Sequence, residues 1–284
     1  MAESIIVYGM VWATLYALMA LGFSLIFSVA KILNLAHGML IMVACYVVYV
    51  LVANCNLPLG VSIFAGVVII ALLGILLYAA FMKRLRGSIN ALVLLTGGLA
   101  MMMEQAIIIT VGPHSKFVPS LVKGSLSIIG VEVSYQQVLS MVIAFILITF
   151  LWLFLQRSRI GRAIRAVAQD RDVAAILGIN VEQIFTITMA ISAILAAMAG
   201  VLIAPIQAVT PEIGWGMMGS AFAVTILGGI GSVWGMAIAG AIVAYIELIT
   251  AFVISPVLKE AAVFTIMALT LIFKPSGLFG KGEV

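Results

Sequence analysis

Long stretches without charge are the feature that most constrains what this chain can fold into. Residues 5–30 and 32–82 contain no Asp, Glu, Lys or Arg. Further charge-free runs are 87–103, 133–156, 183–211, 213–246 and 261–273. Because a helix that crosses the hydrocarbon core of a bilayer needs about 20 mostly apolar residues, these runs predict membrane-spanning helices. They lack the short alternating segments of a membrane barrel.

The runs divide into nine predicted helices, at 5–29, 32–53, 60–82, 89–111, 137–156, 183–207, 217–230, 236–254 and 259–273. The seventh is too short to span alone, so we expect a broken helix near Gly228-Gly229. The predicted fold class is therefore all-α, a polytopic membrane bundle with about 8–10 crossings. Residues 1–284 are expected to form a single transmembrane domain.

Composition excludes most soluble classes of protein. Apolar residues make up 65% of the chain and charged residues only 8%, whereas soluble domains carry about 25% charged residues. The net charge of +4 comes from a small excess of Lys and Arg. Since that excess forms no dense basic face, nucleic-acid binding is not indicated.

Basic residues are distributed unevenly between the two sides of the predicted bundle. With nine crossings, eleven of the 14 basic residues fall on one side, namely Lys31, Lys83, Arg84, Arg86, Arg157, Arg159, Arg162, Arg165, Arg171, Lys274 and Lys281. The other side keeps Lys116, Lys123 and Lys259. The positive-inside rule then predicts an external N-terminus, a cytoplasmic C-terminus, an external loop at 112–136 and a cytoplasmic segment at 157–182.

That cytoplasmic segment is predicted to contain one amphipathic helix over 160–175, ending near Gly178. Its apolar face would hold Ile160, Ile164, Val167, Ala168, Ala174 and Ala175, and its polar face Arg159, Arg162, Arg165, Gln169 and Asp172. Three interpretations are open: a helix lying at the membrane interface, a helical connecting loop, or a helix that docks on a cytoplasmic partner. The many small alanines favour docking, because they permit close approach.

Several polar residues lie inside the apolar runs. Glu104 and Glu247 are costly there, so each is expected either to line or gate a path or to make a helix–helix hydrogen bond. Asn34 and His37 would share a face at the inner end of the second helix, where Gly38 could help to form a break or cap. A structural role for His37 is the alternative.

A faint repeat links the fourth and seventh predicted helices. Leu95-Thr96-Gly97-Gly98-Leu99 is similar to Ile226-Leu227-Gly228-Gly229-Ile230, and the two helices would run in opposite directions. Inverted repeats of Gly-interrupted helices meet near the midplane in transporters. The alternative is that Gly pairs are simply common in membrane helices.

The sequence shows no motif for nucleotide binding, catalysis or metal binding. It contains no Gly-x-x-x-x-Gly-Lys-Ser/Thr loop for ATP and no recognisable catalytic or metal-ligand constellation. We therefore expect no enzyme activity, no metal and no cofactor bound by this chain. The classes left open include a proton-coupled secondary carrier using Glu104 or Glu247, and a membrane scaffold without a transport role.

Four blocks occur in order along nearly the whole chain: Asn34-Leu35-Ala36-His37-Gly38; Gly161 to Asp170 with Leu177-Gly178-Ile179-Asn180; Leu227 to Gly235; and Lys274 to Gly280. Together they resemble the signatures of the branched-chain amino acid ABC transporter permeases. The resemblance is strongest to the shorter of the two permeases, the high-affinity leucine/isoleucine/valine type. It implies a bacterial inner-membrane protein that imports these amino acids, with amides, urea or other small amino acids as alternative cargo.

The resemblance also implies partners: a second permease subunit, two cytoplasmic ATPase subunits that bind ATP and Mg²⁺, and a periplasmic binding protein. It places ATPase coupling in the block that contains Gly161, Arg162, Arg165, Ala168, Gln169, Asp170, Asp172, Gly178 and Asn180. Expected path or gate residues are Asn34, His37, Gly38, Gly97, Gly98, Glu104, Gly228, Gly229 and Glu247. Because Val173-Ala174-Ala175 lacks the Glu of the Glu-Ala-Ala motif found in wider permeases, docking geometry does not transfer from them.

Overall fold

The computed structural model describes residues 2–280 of the 284. Met1 and residues 281–284, including the predicted cytoplasmic Lys281, lie outside the described residues. The helices are α1 Ala2–Ala30, α2 His37–Ala53, α3 Leu59–Ala80, α4 Ile89–Val111, α5 Tyr135–Arg157, α6 Arg159–Gln169, α7 Arg171–Ile176, α8 Val181–Ile203, α9 Ile213–Gly228, α10 Val233–Ile249 and α11 Lys259–Phe273. Strands β1 Ser125–Ile128 and β2 Val131–Ser134 form a hairpin.

Seven helical segments of the described chain are long and apolar enough to cross a membrane. Helices α2 and α9 have only 17 and 16 residues, so each is shorter than a full crossing. The predicted polytopic helical fold is confirmed, and the seventh predicted helix is indeed short. A π-turn at Thr250–Ile254 continues α10, and 3₁₀ turns occupy Met82–Leu85 and Pro256–Leu258.

Helix α1 is the centre of the bundle and packs against α5, α8, α9 and α10. Its sequence is apolar on every side, which is the pattern of a helix buried all round, and Leu18, Met19 and Phe23 are fully buried. Helices α3, α4 and α11 lie outside this centre and expose apolar side chains such as Phe64, Leu94 and Phe273. The exposed apolar surface suits a lipid environment.

Polar turns between the helices start the next helix through side-chain caps. A Ser, Asp or Asn oxygen accepts a hydrogen bond from a first-turn N–H, as is preferred at this position. The capping residues are Ser88 of α4, Ser134 of α5, Ser158 of α6, Asp170 of α7, Asn180 of α8 and Ser232 of α10. Short-range sequence signals therefore determine where most helices begin.

The connection between α1 and α2 corrects one sequence prediction. A helix was expected from residue 32, but α2 begins at His37 and residues 31–34 have no regular structure. The His37 Nε2 atom lies 3.2 Å from the Met19 carbonyl oxygen. Met19 lies eleven residues before the end of α1, which is about 16 Å along the helix axis. The chain therefore returns toward the interior of the bundle before α2 begins.

Thr96 of α4 supports this re-entrant stretch. The Leu35 N–H donates to Thr96 Oγ1 at 3.2 Å, and the Thr96 hydroxyl donates to the Leu33 carbonyl at 3.2 Å. Asn34 Oδ1 accepts the Ala36 N–H at 3.2 Å. Because non-helical backbone at membrane depth is tolerated only where its polar groups find partners, these bonds explain how the stretch can stay inside the bundle.

The predicted external loop, 112–136, contains more structure than the sequence indicated. Strands β1 and β2 pair antiparallel with Ile128 opposite Val131. The turn between them holds Ile129 and Gly130, both with positive φ (51° and 77°), as two-residue hairpin turns require. The loop is also joined to the α8–α9 connection, because Lys116 and Val209 exchange two backbone hydrogen bonds of 2.9 Å.

The predicted amphipathic helix over 160–175 is two helices, which corrects the expectation of one continuous helix. Asp170 has an extended backbone (φ −152°), and its Oδ1 accepts the N–H groups of Asp172 and Val173 at 2.9 and 3.0 Å. This cap ends α6 and starts α7. Gly178 has φ +83°, the left-handed conformation of a helix stop, as predicted.

The two Gly pairs of the faint repeat have different local roles. Gly97 and Gly98 lie within the continuous helix α4, whereas Gly228 ends α9 and Gly229 begins the turn to α10 with φ +85°. The predicted break near Gly228-Gly229 is thus present. The inverted repeat itself stays a prediction.

Candidate functional site

A cavity of about 430 Å³ opens between α1, α9, α10 and the start of α11. Its size falls within the range of about 300–1,000 Å³ typical of small-molecule sites. Its mouth lies beside the connection between α8 and α9. The lining residues are Trp12, Tyr16, Gln207, Ala208, Thr210, Glu212, Ile213, Gly216, Met217, Ser220, Ala244, Glu247, Leu248, Ala251, Lys259 and Glu260.

A polar cluster of three side chains closes the inner end of this cavity. Glu247 of α10 is only 6% exposed. Its Oε2 accepts a hydrogen bond from the Tyr16 hydroxyl of α1, and its Oε1 accepts one from Ser220 Oγ of α9 at 2.9 Å. Because the two oxygens accept hydrogen bonds from two different helices, Glu247 of α10 joins three helices. We call Tyr16, Ser220 and Glu247 the floor of the cavity.

Charged side chains of both signs surround the mouth. Glu212 precedes α9, and Lys259 and Glu260 form the first turn of α11; all three are exposed. Glu260 reaches across to α9, since a Cβ placed on Gly216 would lie 3.3 Å from Glu260 Oε1. We call Glu212, Lys259 and Glu260 the rim.

An aromatic layer lies farther along α1. Phe23 is fully buried and contacts Phe222 edge to face, with ring centroids 5.9 Å apart. It also stacks on Phe27 at 6.1 Å and meets the His37 ring edge to face at 6.0 Å. Phe23 is seven residues beyond Tyr16, about 10 Å along the helix. The cavity is therefore separated from the opposite end of the bundle by the floor and then by packed rings.

Of the residues that the sequence predicted for a path or gate, Glu247 lines the cavity. Asn34 and His37 are fully buried in the core, and His37 Nδ1 lies 3.4 Å from Ser192 Oγ. Gly38 packs directly on the start of α9, because a Cβ there would collide with the Gly214 carbonyl. His37 and Gly38 thus connect α2 to α1, α8 and α9, and none of the three residues lines the cavity.

The remaining predicted path residues lie elsewhere. Glu104 of α4 accepts a hydrogen bond from Trp215 Nε1 at 2.8 Å and does not line the cavity, nor do Gly97 and Gly98. Gly228 and Gly229 contact neighbouring backbone, Gly228 at Gly235 and Gly229 at Gly280.

The C-terminal block fixes this turn. The Leu278 N–H donates to the Leu227 carbonyl at 2.7 Å, and Gly277 fits against the Ile226 carbonyl with φ +79°. Two of the four blocks that carry the family resemblance therefore meet at the turn between α9 and α10.

The predicted coupling residues divide into packed and exposed groups. Gly161, Ile164 and Val167 are the buried face of α6, which contacts α1, α5 and α8. Arg165 donates to the Leu155 carbonyl, and Asn180 Oδ1 caps α8 at Gln183 N–H, 3.1 Å. These contacts attach the segment to the bundle.

The exposed coupling residues are Arg162, Gln169, Asp170, Asp172, Gly178 and also Asn180, whose side chain caps α8. Helix α7 adds apolar side chains that point away from the protein, since Val173, Ile176 and Leu177 are 50%, 85% and 73% exposed. Ala168 is half-buried. The segment thus presents a mixed charged and apolar surface, which we call the α6–α7 surface.

An ion-pair cluster at the start of α8 was not predicted from the sequence. Glu182 pairs with Arg86, and its Oε1 lies 3.3 Å from Lys83 Nζ and accepts the Tyr78 hydroxyl at 3.2 Å. The Arg86 guanidinium lies 4.7 Å from the centre of the Phe185 ring. The cluster ties α8 to the α3–α4 connection. The sequence features that could have indicated this cluster are the basic run 83–86 and Glu182, the first acidic residue after the coupling block.

No group of three or more metal-binding side chains occurs among residues 2–280. Cys45 is buried and Cys55 exposed, and both are free thiols.

Comparison with known proteins identifies relatives over nearly the full length. Residues 5–273 match a family described as branched-chain amino acid transport system / permease component. The high-affinity branched-chain amino acid transport system permease protein BraD of Pseudomonas aeruginosa is 30% identical, over 98% of this chain and 96% of its own. LivH of Escherichia coli K12, described by the same words, is 29% identical over 97% and 94%.

One solved structure has a similar fold. A chain of PsaBC from Streptococcus pneumoniae in complex with Fab superimposes with a TM-score of 0.54, covering 96% of this chain and 92% of that chain. Its sequence identity is 12%. The likeness therefore concerns the helical arrangement alone.

Proposed function

The chain belongs to the permease components of branched-chain amino acid transport systems, and from this premise we propose that it is a membrane subunit of an ATP-driven importer of leucine, isoleucine and valine. The observation that carries the proposal is the cavity of about 430 Å³, open at one end and closed by the floor at the other. Such a closed-ended cavity is what alternating access requires of one conformation. We assign this cavity to the outer part of the translocation path.

We propose that the cavity mouth and the N-terminus face the periplasm of a bacterial inner membrane, with loop 112–136 on that side. The α6–α7 surface and the C-terminus would then face the cytoplasm. The distribution of basic residues supports this orientation, because the α6–α7 end of the bundle carries most of them. A periplasmic binding protein would deliver substrate to the mouth.

The α6–α7 surface is proposed to contact cytoplasmic ATPase subunits, which would bind ATP and Mg²⁺. The apolar face of α6 packs on the protein itself through Gly161, Ile164 and Val167, so that face is not free to lie in lipid. What remains outside is the basic face with Arg162 and the apolar side chains Ile176 and Leu177 of α7. Exposed apolar residues next to charges are typical of a protein interface.

Motion at the α6–α7 surface has two physical routes into the bundle. One is α6 itself, which contacts the central helix α1. The other is Glu182, which links the start of α8 to Lys83 and Arg86. A second permease subunit would complete the membrane part of the importer.

The coupling proposal is tested with Arg162→Glu in the assembled transporter. Arg162 is exposed, so reversing its charge should leave folding intact while weakening ATPase co-purification and ATP-dependent leucine uptake at least tenfold. The matched control is Lys123→Glu, an exposed residue in loop 112–136, which should change neither. If the Arg162→Glu variant co-purifies with the ATPase and takes up leucine normally, the α6–α7 surface is not the ATPase contact.

A further inference from the structure

We propose that the permease cavity itself selects its cargo by charge, with the rim binding the zwitterionic head of an α-amino acid and the wall accepting a small aliphatic side chain. Lys259 would bind the carboxylate, while Glu260 and Glu212 would bind the ammonium group. This inference rests on the proposed transport function. It adds a second selection step to that of an external binding protein.

The rim is the charged part of the cavity that is exposed to an entering ligand. On the floor, both oxygens of Glu247 already accept hydrogen bonds, from Tyr16 and from Ser220. The side chains of Glu212, Lys259 and Glu260 are exposed at the mouth. A ligand that enters therefore meets one positive and two negative groups before it reaches the buried floor.

The geometry brings these charges from two helices to one opening. Glu260 extends from α11 over the first turn of α9, where Gly216 leaves room for its carboxylate. Glu212 precedes the same turn of α9. Charge-assisted hydrogen bonds are stronger than neutral ones. A head group that carries both a positive and a negative charge should therefore bind at this mouth more strongly than a neutral or singly charged one.

Part of the wall below the rim is apolar. Met217, Ala244, Leu248 and Ala251 line it together with the Trp12 ring. Apart from Glu247 on the floor, the lining below the rim carries no charged side chain, and the rim has two carboxylates and one ammonium group. Anionic amino acids are therefore disfavoured, whereas a branched aliphatic side chain gains apolar contact.

The same features separate amino acids from the alternative cargoes. Urea and simple amides carry no charge, so they gain nothing from Lys259 or Glu260 beyond ordinary hydrogen bonds. A site built around specific polar partners rejects analogues that lack the matching groups. The permease is thus expected to prefer leucine over urea even when no binding protein is present.

A thiol-protection experiment on the assembled permease–ATPase complex, without binding protein, tests this inference. In a Cys55→Ala background, which leaves the buried Cys45 as the free thiol of this chain, Ala208→Cys places a reactive thiol in the cavity wall. Leucine should slow its modification by a water-soluble maleimide. For the same degree of protection, 4-methylpentanoate, isoamylamine and urea should each be needed at a concentration at least tenfold higher than that of leucine.

Rim variants then identify the groups responsible. Lys259→Gln or Glu260→Gln should lower protection by leucine at least tenfold, whereas the matched loop variants Lys123→Gln and Glu132→Gln should not. A second control thiol at Ser127→Cys, in the hairpin, should react at the same rate with and without leucine. Equal protection by leucine and urea, absence of protection by leucine, or unchanged protection in both rim variants would overturn the inference.

ATP-dependent leucine uptake by the Cys55→Ala complex, supplied with binding protein, is measured in parallel. Uptake without selective protection refutes charge selection at the rim and leaves the importer proposal standing. A complex that folds and hydrolyses ATP but takes up no leucine refutes the importer proposal itself, and with it the inference.

Discussion

Removing the carboxylate from the cavity floor should destabilise the bundle, and the size of the effect depends on what is left behind. In Glu247→Leu, the hydroxyl groups of Tyr16 and Ser220 lose their hydrogen-bond acceptor. Both residues stay buried, since each is only 6% exposed. In Glu247→Gln, the amide oxygen can accept from Tyr16 and the amide N–H can donate to Ser220. The two variants therefore separate loss of charge from loss of hydrogen bonding.

The expected magnitude follows from two unpaired hydroxyls. A buried polar group left without a partner costs about 1–3 kcal/mol, whereas interhelical hydrogen bonds in membrane proteins average about 0.6 kcal/mol. Two such groups give a range of about 1–6 kcal/mol, and water at the cavity side favours the lower half. We expect Glu247→Leu to lower the free energy of unfolding by about 2 kcal/mol and Glu247→Gln by less than about 1 kcal/mol.

Reversible unfolding in detergent micelles measures these differences. The triple variant Tyr16→Phe, Ser220→Ala, Glu247→Leu is the decisive control, because it removes all three polar groups together. Replacing both sides of a buried hydrogen bond by apolar groups is nearly neutral, so the triple variant should recover most of the stability lost in Glu247→Leu. Equal losses in Glu247→Gln and Glu247→Leu, or no recovery in the triple variant, would refute the reasoning.

Three further predictions concern packing, the partner surface and the ion-pair cluster. Gly38→Ala should lower stability by about 1–3 kcal/mol in thermal unfolding, because its Cβ would meet the Gly214 backbone and Met218 Cβ, whereas Gly60→Ala, with open space around it, should not. Ile176→Asp should abolish ATPase co-purification without lowering the melting temperature, because this side chain is 85% exposed; an unchanged yield of complex would contradict this. Glu182→Gln should lower stability by about 1 kcal/mol at low salt, with a smaller difference at high salt; a salt-independent loss would argue against an ionic role.

The sequence was sufficient for the membrane class, most helix positions and the family, because each depends on local signals. Charge-free runs define helices, and residues such as Ser134 and Asn180 cap them. The blocks that carry the resemblance also have identifiable local roles. Gly229, for example, adopts φ +85° at a turn that holds the C-terminal segment.

The candidate site could be predicted only in part, because it depends on contacts between distant segments. Glu104 and Glu247 look alike in the sequence, yet only Glu247 lies on the cavity floor, where Tyr16 and Ser220 reach it from two other helices. Glu104 instead bonds Trp215. No local pattern distinguishes the two carboxylates.

The re-entrant stretch before α2 shows the same limit. Its apolar residues continue the pattern of a helix, so a helix from residue 32 was the natural prediction. The extended path depends on Thr96, more than 60 residues away in sequence, which supplies hydrogen bonds to Leu33 and Leu35. Long-range partners of this kind decide the local conformation.

Leucine uptake into proteoliposomes tests the central claim most directly. The chain is reconstituted alone, and then with its second permease, ATPase subunits and binding protein, with either internal ATP or an imposed proton gradient. The account predicts accumulation of leucine only in the complete assembly with ATP. Uptake by the lone chain driven by the proton gradient would contradict it and would indicate a secondary carrier.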